Sequence, residues 1–376
     1  MILVPKLGLG GAELFLLNLI PNLQKEFKVN VTCIDGKGVL SPKYRREDIS
    51  VKYLNFLSIF SLPRIMYKVI NLIRDKDIHI VHSFLYPSDF LTIFIKIFFQ
   101  RKLKIVWSIR LSKLPSTVKW TTKLFRIFVI IFSRFTPNMV VSCSQESLDY
   151  HKKIGYDTSR TLVIPNFPAD WTKAIKSQSS LLLKTHPDEI TIGLAARFTP
   201  GKGHDLLCEV LRINQNDKEA SFKLKASFCG IHSEPGGDLS KLILDKYSDI
   251  FECCSFNGQI IDIDYQSWLS SIDLYTLASD SLEGNPNSFL EASTIGTPTV
   301  GANVGSSNLM VAPECLIPQN VLSAITLYDK IKFWLNMDIK QRLNVIEENK
   351  RLVNLNFDKN KIIKSYIEIY NLLIKD

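Results

Sequence analysis

Two doubly wound α/β domains are what this sequence predicts, on three observations. Short aliphatic and β-branched runs alternate with helical stretches through both halves of the chain. The alternation breaks once, at Pro165-Asn166-Phe167-Pro168 and the polar stretch running on to Asp188. The length, 376 residues, is too great for one ordinary core and comfortable for two.

In order, Ile2 to Val4 reads as a short strand ending in a glycine turn. Ala12 to Leu23 reads as a helix with Leu14, Leu17 and Leu19 on its apolar face, and Val29 to Ile34 as a strand closing at Asp35-Gly36. Ile78 to Val81, Lys104 to Ile109 and Met139 to Ser142 are the next strands. Beyond the break, Ile190 to Ala195 is a strand, Asp205 to Leu211 a helix, Lys223 to Cys229 a strand, Tyr265 to Ser271 a helix and Leu274 to Leu277 a strand. Asn287 to Ile295 reads as a helix with Asn285 as its cap, Pro286 in its first turn and Gly296 closing it. Thr297 to Gly301 starts another strand, and Lys359 to Ile374 is an amphipathic helix. The boundaries that follow are 1–168 for the first domain, 169–188 for a linker, 189–355 for the second domain and 356–376 for the final helix.

Composition narrows the class. Apolar residues make up 46% and charged residues 22%, as in folded globular chains. Mean hydropathy is +0.07. The apolar runs Phe84 to Phe99 and Leu124 to Val141 are interrupted by Asp89 and Lys96, and by Arg126 and Arg134, so surface attachment to a membrane is expected rather than spanning. The first five residues are too short for a secretory core, and the short opening strand points to a few missing residues or a misassigned start. The seven cysteines form no CxxC and read as reduced thiols. Charge is divided unevenly: residues 1–170 carry 25 Lys and Arg against 12 Asp and Glu, a net +13, and residues 171–376 carry −4. The basic half is expected to meet something anionic.

Three segments carry chemistry. Gly8-Leu9-Gly10-Gly11-Ala12-Glu13 follows a strand and opens a helix, where backbone N–H groups can approach a phosphate. Gly8 and Gly10 imitate a dinucleotide fingerprint with Asp35 as its ribose acid, but Glu13 stands where the third glycine belongs. Ala196-Arg197-Phe198-Thr199-Pro200-Gly201-Lys202-Gly203-His204 offers a guanidinium fork and an ammonium in one loop, suited to a diphosphate and to the charge growing on it as it leaves. Glu283-Gly284-Asn285-Pro286-Asn287-Ser288-Phe289-Leu290-Glu291 sets two carboxylates eight residues apart around a helix start whose free N–H groups can receive an anion.

On these segments the sequence resembles the retaining GT-B glycosyltransferases of family 4, which act in bacterial polysaccharide synthesis. The likeness extends to Ser142-Cys143-Ser144, Ile164-Pro165-Asn166, Phe256-Asn257-Gly258, Asp273, Gly296-Thr297-Pro298-Thr299-Val300 and Gly305. It implies two Rossmann-like domains facing a cleft, with the C-terminal helix crossing back to the first. It also implies a nucleotide-diphosphate sugar as co-substrate, with no further cofactor and no metal. Arg197 and Lys202 would bind the diphosphate, Glu283 and the backbone of Gly284 to Ser288 the sugar, Glu291 the ribose, and Gly230 the donor. Gly10 and Gly11 would close on the phosphates from the other domain. Asp262-Ile263-Asp264 reads as a loop pair and not a metal motif.

One departure bears on mechanism. Where many members of the family carry a His after the strand ending Trp107-Ser108-Ile109, this chain has Arg110, which cannot act as a base near neutral pH. Arg110 and His82, placed after the strand Ile78 to Val81, are the catalytic candidates of the first domain, with Glu283, Arg197 and Lys202 in the second.

The stretches Lys96 to Lys102 and Lys119 to Phe128 interleave basic and aromatic residues, which suits an anionic bilayer interface. No nucleic-acid motif accompanies them. A saccharide acceptor linked to polyprenyl diphosphate, met by a cytoplasmic enzyme peripheral to the inner face of the plasma membrane, would explain both charge and greasiness. A sugar-nucleotide epimerase of similar fold and a non-catalytic glycan-binding protein are the alternatives.

Overall fold

A computed structural model describes residues 1–56, 59–99, 102–111, 120–183, 187–279 and 283–375. The chain divides into two compact units, Met1–Phe167 with Lys359–Asp376, and Pro168–Asp358.

The first unit runs β1 (Ile2–Val4), α1 (Gly11–Leu23), β2 (Val31–Cys33), α2 (Ser41–Arg46), β3 (Val51–Tyr53), α3 (Leu62–Asp75), β4 (Ile80–Phe84), α4 (Tyr86–Phe99), β5 (Lys104–Ile109), α5 (Trp120–Phe132), β6 (Met139–Ser142), α6 (Gln145–Lys153) and β7 (Thr161–Val163). Its strands are all parallel, in the order β3-β2-β1-β4-β5-β6-β7. The strands buried on both faces are short aliphatic runs, as parallel sheets require. Helix α1 buries Phe15, Leu16, Leu19, Ile20 and Leu23; of the face expected from sequence, Leu14 and Leu17 lie at its margin. Ser144 caps α6 by accepting from the Ser147 N–H at 3.1 Å.

The second unit runs β8 (Glu189–Ala195), α7 (His204–Asn216), β9 (Lys223–Cys229), α8 (Asp238–Lys246), β10 (Cys254–Phe256), α9 (Asp262–Ser271), β11 (Leu274–Leu277), α10 (Asn287–Ile295), β12 (Thr299–Ala302), β13 (Leu316–Ile317), α11 (Ala324–Asn336) and α12 (Ile339–Asn356). This sheet is also all parallel, ordered β10-β9-β8-β11-β12-β13. The last helix, α13 (Lys359–Lys375), belongs to the first unit and buries Ile362, Tyr366, Ile369 and Tyr370 in its core.

The segment expected as a linker packs on the second unit. Asp273 fastens it: its carboxylate accepts from the N–H groups of Ser180 at 2.6 Å and Thr191 at 2.8 Å, while Ser179 Oγ donates to its carbonyl at 2.6 Å. Residues 184–186 of that segment lie outside the described residues.

Several expectations are corrected. Asp262 and Asp264 are not a loop pair; they sit in the first turn of α9, where acids complement the helix dipole. Asn285 does not cap α10: Pro286 occupies the cap position without a side-chain bond, and the Asn285 amide donates instead to Asn287 Oδ1 at 3.3 Å. The strand expected at Ile78 to Val81 is β4, two to three residues further on, so His82 lies inside a strand rather than after one. Strands β3, β7, β10 and β13, two or three residues each, are too short to show periodicity in sequence.

Candidate functional site

In each sheet the strand order reverses once, between β1 and β4 and between β8 and β11. The loops leaving adjacent strands diverge there to opposite faces and open a crevice at the strands' C-terminal ends.

At the β8/β11 reversal the two charged segments meet. The loop after β8 carries Arg197 and Lys202, and the loop after β11 carries Glu283. Lys202 Nζ donates to Glu283 Oε1, joining the two, and both side chains are partly exposed, at 28% and 19%. Arg197 is exposed, and its guanidinium makes no ion pair among the described residues. Asp280, Ser281 and Leu282, part of the sequence-predicted segment, lie outside the described residues.

Close backbone packing fixes these loops. Gly203 has φ +82°, and a Cβ there would come within 2.2 Å of the Ala278 carbonyl. Gly305 has φ +61°, and a Cβ there would reach 2.4 Å from the Glu283 carbonyl. Both positions require glycine. Ser279 Oγ donates to the Gly201 carbonyl at 2.9 Å, tying the end of β11 to the loop after β8. Ser306 Oγ donates to Asn285 Oδ1 at 3.0 Å. Gly230, at the end of β9, lies against the Ala196 carbonyl, and its N–H donates to Gly258 at 2.8 Å.

Of the helix α10 candidates, Gly284 is buried and Ser288 is committed inward: the Tyr275 hydroxyl donates to Ser288 Oγ at 2.6 Å, and Ser288 Oγ donates to the Ala195 carbonyl at 3.3 Å. Glu291 accepts from the Tyr265 hydroxyl at 3.1 Å. Burial pushes its carboxyl up to about 7, and the Tyr265 bond opposes that shift. Tyr265 itself is held edge-on by Trp171, rings 5.9 Å apart. His204, first in α7, is 2% exposed between Phe198 and Phe228, and burial pushes its imidazole down to about 4. Tyr265, Tyr275, Ser279 and Ser306 were invisible to sequence reasoning, because each acts through a partner at least a dozen residues away.

The first unit arranges its candidates differently. Gly10 caps α1 and Gly11 begins it, but the Glu13 carboxylate lies against Gly10, close enough that a Cβ there would meet its Oε2 at 2.3 Å. An acid thus occupies the approach to that helix start. His82 is 1% exposed, with Nδ1 2.6 Å from the Tyr370 hydroxyl and Nε2 2.8 Å from Ser108 Oγ. Burial, then the Arg110 charge, holds its imidazole well below the ordinary value. Arg110 is 8% exposed; it donates to Asn166 Oδ1 at 2.7 Å and to the Tyr366 hydroxyl, and lies over the rings of Phe15 and Phe84 at 4.5 and 5.2 Å. The structure brings His82 and Arg110 together, through Ser108, in an interior network that anchors α13. Neither of these two catalytic candidates is exposed.

Among the described residues no cluster of three or more His, Cys, Asp or Glu is placed to hold a metal, and no helix is long and apolar enough to cross a membrane.

Known proteins share both halves. The sequence model of Glycosyltransferase Family 4 matches residues 9–167, and that of Glycosyl transferases group 1 matches residues 189–335. No curated protein matches the sequence. Among solved structures, HepE from Anabaena in complex with UDP-glucose superposes with a TM-score of 0.79 at 16% identity, with 98% of each chain covered. Sucrose-phosphate synthase from Thermosynechococcus elongatus gives 0.74 at 15% identity, covering 100% of this chain and 98% of that one. TarM from S. aureus, in a complex containing α-GlcNAc-glycerol and UDP, gives 0.61 at 18% identity over 82% of this chain and 59% of its own. Two non-overlapping glycosyltransferase matches on two parallel-sheet domains identify the chain as a GT-B glycosyltransferase.

Proposed function

We propose that the chain moves a sugar from a nucleoside-diphosphate donor to a hydroxyl of a lipid-linked saccharide, with retained configuration, in cell-surface polysaccharide synthesis. The observation that carries this reading is the meeting of Arg197, Lys202 and Glu283 at the β8/β11 reversal. Arg197 and Lys202 hold the diphosphate and answer the charge that grows on it as the C1–O bond breaks. Glu283, which bonds Lys202, accepts from sugar hydroxyls. Glu291 accepts from the ribose. HepE and TarM were solved with UDP, which makes uridine donors the first to try.

The acceptor hydroxyl attacks C1 from the face the diphosphate leaves. The new C1–O bond forms as the old one breaks, and the acceptor proton passes to the departing phosphate oxygen. No protein base is required, which suits a first unit whose His82 is buried and hydrogen-bonded at both ring nitrogens. The +13 charge of residues 1–170 supports an anionic, lipid-diphosphate acceptor at the inner face of a plasma membrane.

A panel of UDP-, GDP- and ADP-sugars, scored by thermal shift and by slow donor hydrolysis, tests the reading. Stabilisation and hydrolysis with one of them is the expected outcome; no response to any nucleotide would sink it. The anomeric configuration of the product, read by NMR, tests retention.

A further inference from the structure

Helix α5 turns its greasiest side outward. Trp120, Leu124, Ile127, Phe128, Ile131 and Phe132 are exposed, Trp120 by 74% and Ile131 by 59%, at spacings that place them on one helical face. The opposite side packs: Val129 is fully buried and Phe125 stacks on Phe90 of α4 at 4.6 Å, while Phe128, at the edge of the ridge, meets the same ring edge-on at 5.6 Å. Phe135, 71% exposed, prolongs the ridge past the end of α5, and α4 exposes Ile97 and Phe98 at its own end. Single exposed apolar residues are ordinary; a ridge of them on one helix marks a surface meant to be covered.

The charge around the ridge is mainly of one sign, although Asp157 lies near Arg134. From Phe90 to Gln145 the chain carries ten Lys and Arg and no Asp or Glu. Lys123 on α5 and Arg134 just beyond it are exposed. Gln100, Arg101 and Lys119 of the same basic stretches lie outside the described residues.

We propose that α5 is an interfacial helix that lays this ridge into the headgroup region of a bilayer rich in anionic lipid. The proposal deepens the lipid-linked acceptor reading and rests on it for its purpose. Apolar side chains reach the acyl boundary while Lys123 and Arg134 meet lipid phosphates, and Trp120 sits at the depth its ring favours. The charge selects this occupant. A second copy would set one mainly basic surface against another and leave like charges facing each other.

The test uses the full chain and vesicles of phosphatidylcholine, alone or mixed with phosphatidylglycerol. Wild type is expected to sediment with the mixed vesicles at low salt and roughly tenfold less with the neutral ones. Trp120 supplies a second readout: Trp107, Trp268 and Trp334 are buried and Trp171 is half-buried against Tyr265, so a blue shift on vesicles that Trp120→Phe abolishes locates the contact. Ile127→Glu with Ile131→Glu, both at exposed positions, should weaken sedimentation about tenfold or more while leaving the melting temperature and donor hydrolysis unchanged. Equal binding to neutral vesicles, no binding to anionic ones, or full binding by the double variant overturns the proposal. So does a wild-type dimer that the double variant splits without any vesicle binding. A chain that binds vesicles but no nucleotide keeps this proposal and loses the transfer reading.

Discussion

The two units are built on the same plan and spend their charged residues in opposite ways. At the strand reversal of the second sheet, Arg197, Lys202 and Glu283 stand at loops, partly or fully exposed, and held in place by neighbouring backbone. In the first sheet, His82 in β4 and Arg110 just after β5 are drawn inside and bound to Ser108, Asn166, Tyr366 and Tyr370. The same topology therefore leaves charge exposed in one unit and buries it in the other. A polar residue at a switch point is a site only when its neighbours leave it something to bind.

The contrast can be broken most sharply by removing the exposed cations. Arg197→Ala or Lys202→Ala should each lower kcat by ~10²–10³, with an unchanged melting temperature, because each removes a group aimed at developing charge. A loss of stability with little loss of rate would place them with the structural set. Arg110→Ala is the reciprocal test. It leaves Asn166 and Tyr366 without their buried donor and Phe15 and Phe84 without a stacked partner, and should cost about 2–4 kcal/mol in chemical denaturation while donor affinity stays the same. A raised donor or acceptor KM with normal stability would return Arg110 to the site.

Smaller effects follow from pH. The Glu291 carboxyl is raised to about 7 in the fold, so its proton is lost only near neutrality. Donor affinity should strengthen as pH rises through that value, by up to about tenfold if the ionised form binds the ribose, and Glu291→Gln should flatten the profile. The linked stability runs the other way: from the unfolded carboxylate value of about 4.3 up to about 7 the native state holds the extra proton, so Glu291's contribution falls as pH rises. Buried imidazoles act in the opposite sense. His151 and His204 are pushed down to about 4 by burial. Between about 6.5 and 4 the unfolded chain binds more protons, so their contribution, complete above 6.5, is lost as pH falls. Denaturation midpoints of His204→Phe across that window should be less acid-sensitive than wild type.

Helix α10 was legible to the residue, Asn287 to Ile295 with Gly296 left-handed at φ +86° behind it, because a proline start and a glycine stop are local signals. Strands β5, β6, β9 and β11 were equally plain. What stayed hidden depends on partners far away in sequence. His82 looks like a cleft histidine until Tyr370, 288 residues on, is seen against it. Asp273 looks like an acid before a strand until it is found fastening Ser180 and Thr191. The α5 segment was read as basic and greasy, but sequence alone cannot say that its packed side is the smaller one.

The return of α13 to the first unit has a consequence for synthesis. Pro168–Asp358 is continuous, so the second unit can fold as soon as it clears the ribosome. The first unit begins earlier and finishes later: Tyr366 and Tyr370, which bond Arg110 and His82, follow the whole second unit in the chain. Until they emerge, the cation and the imidazole each lack one partner, and the nascent amino-terminal half must wait, incomplete, until the whole second unit has been made.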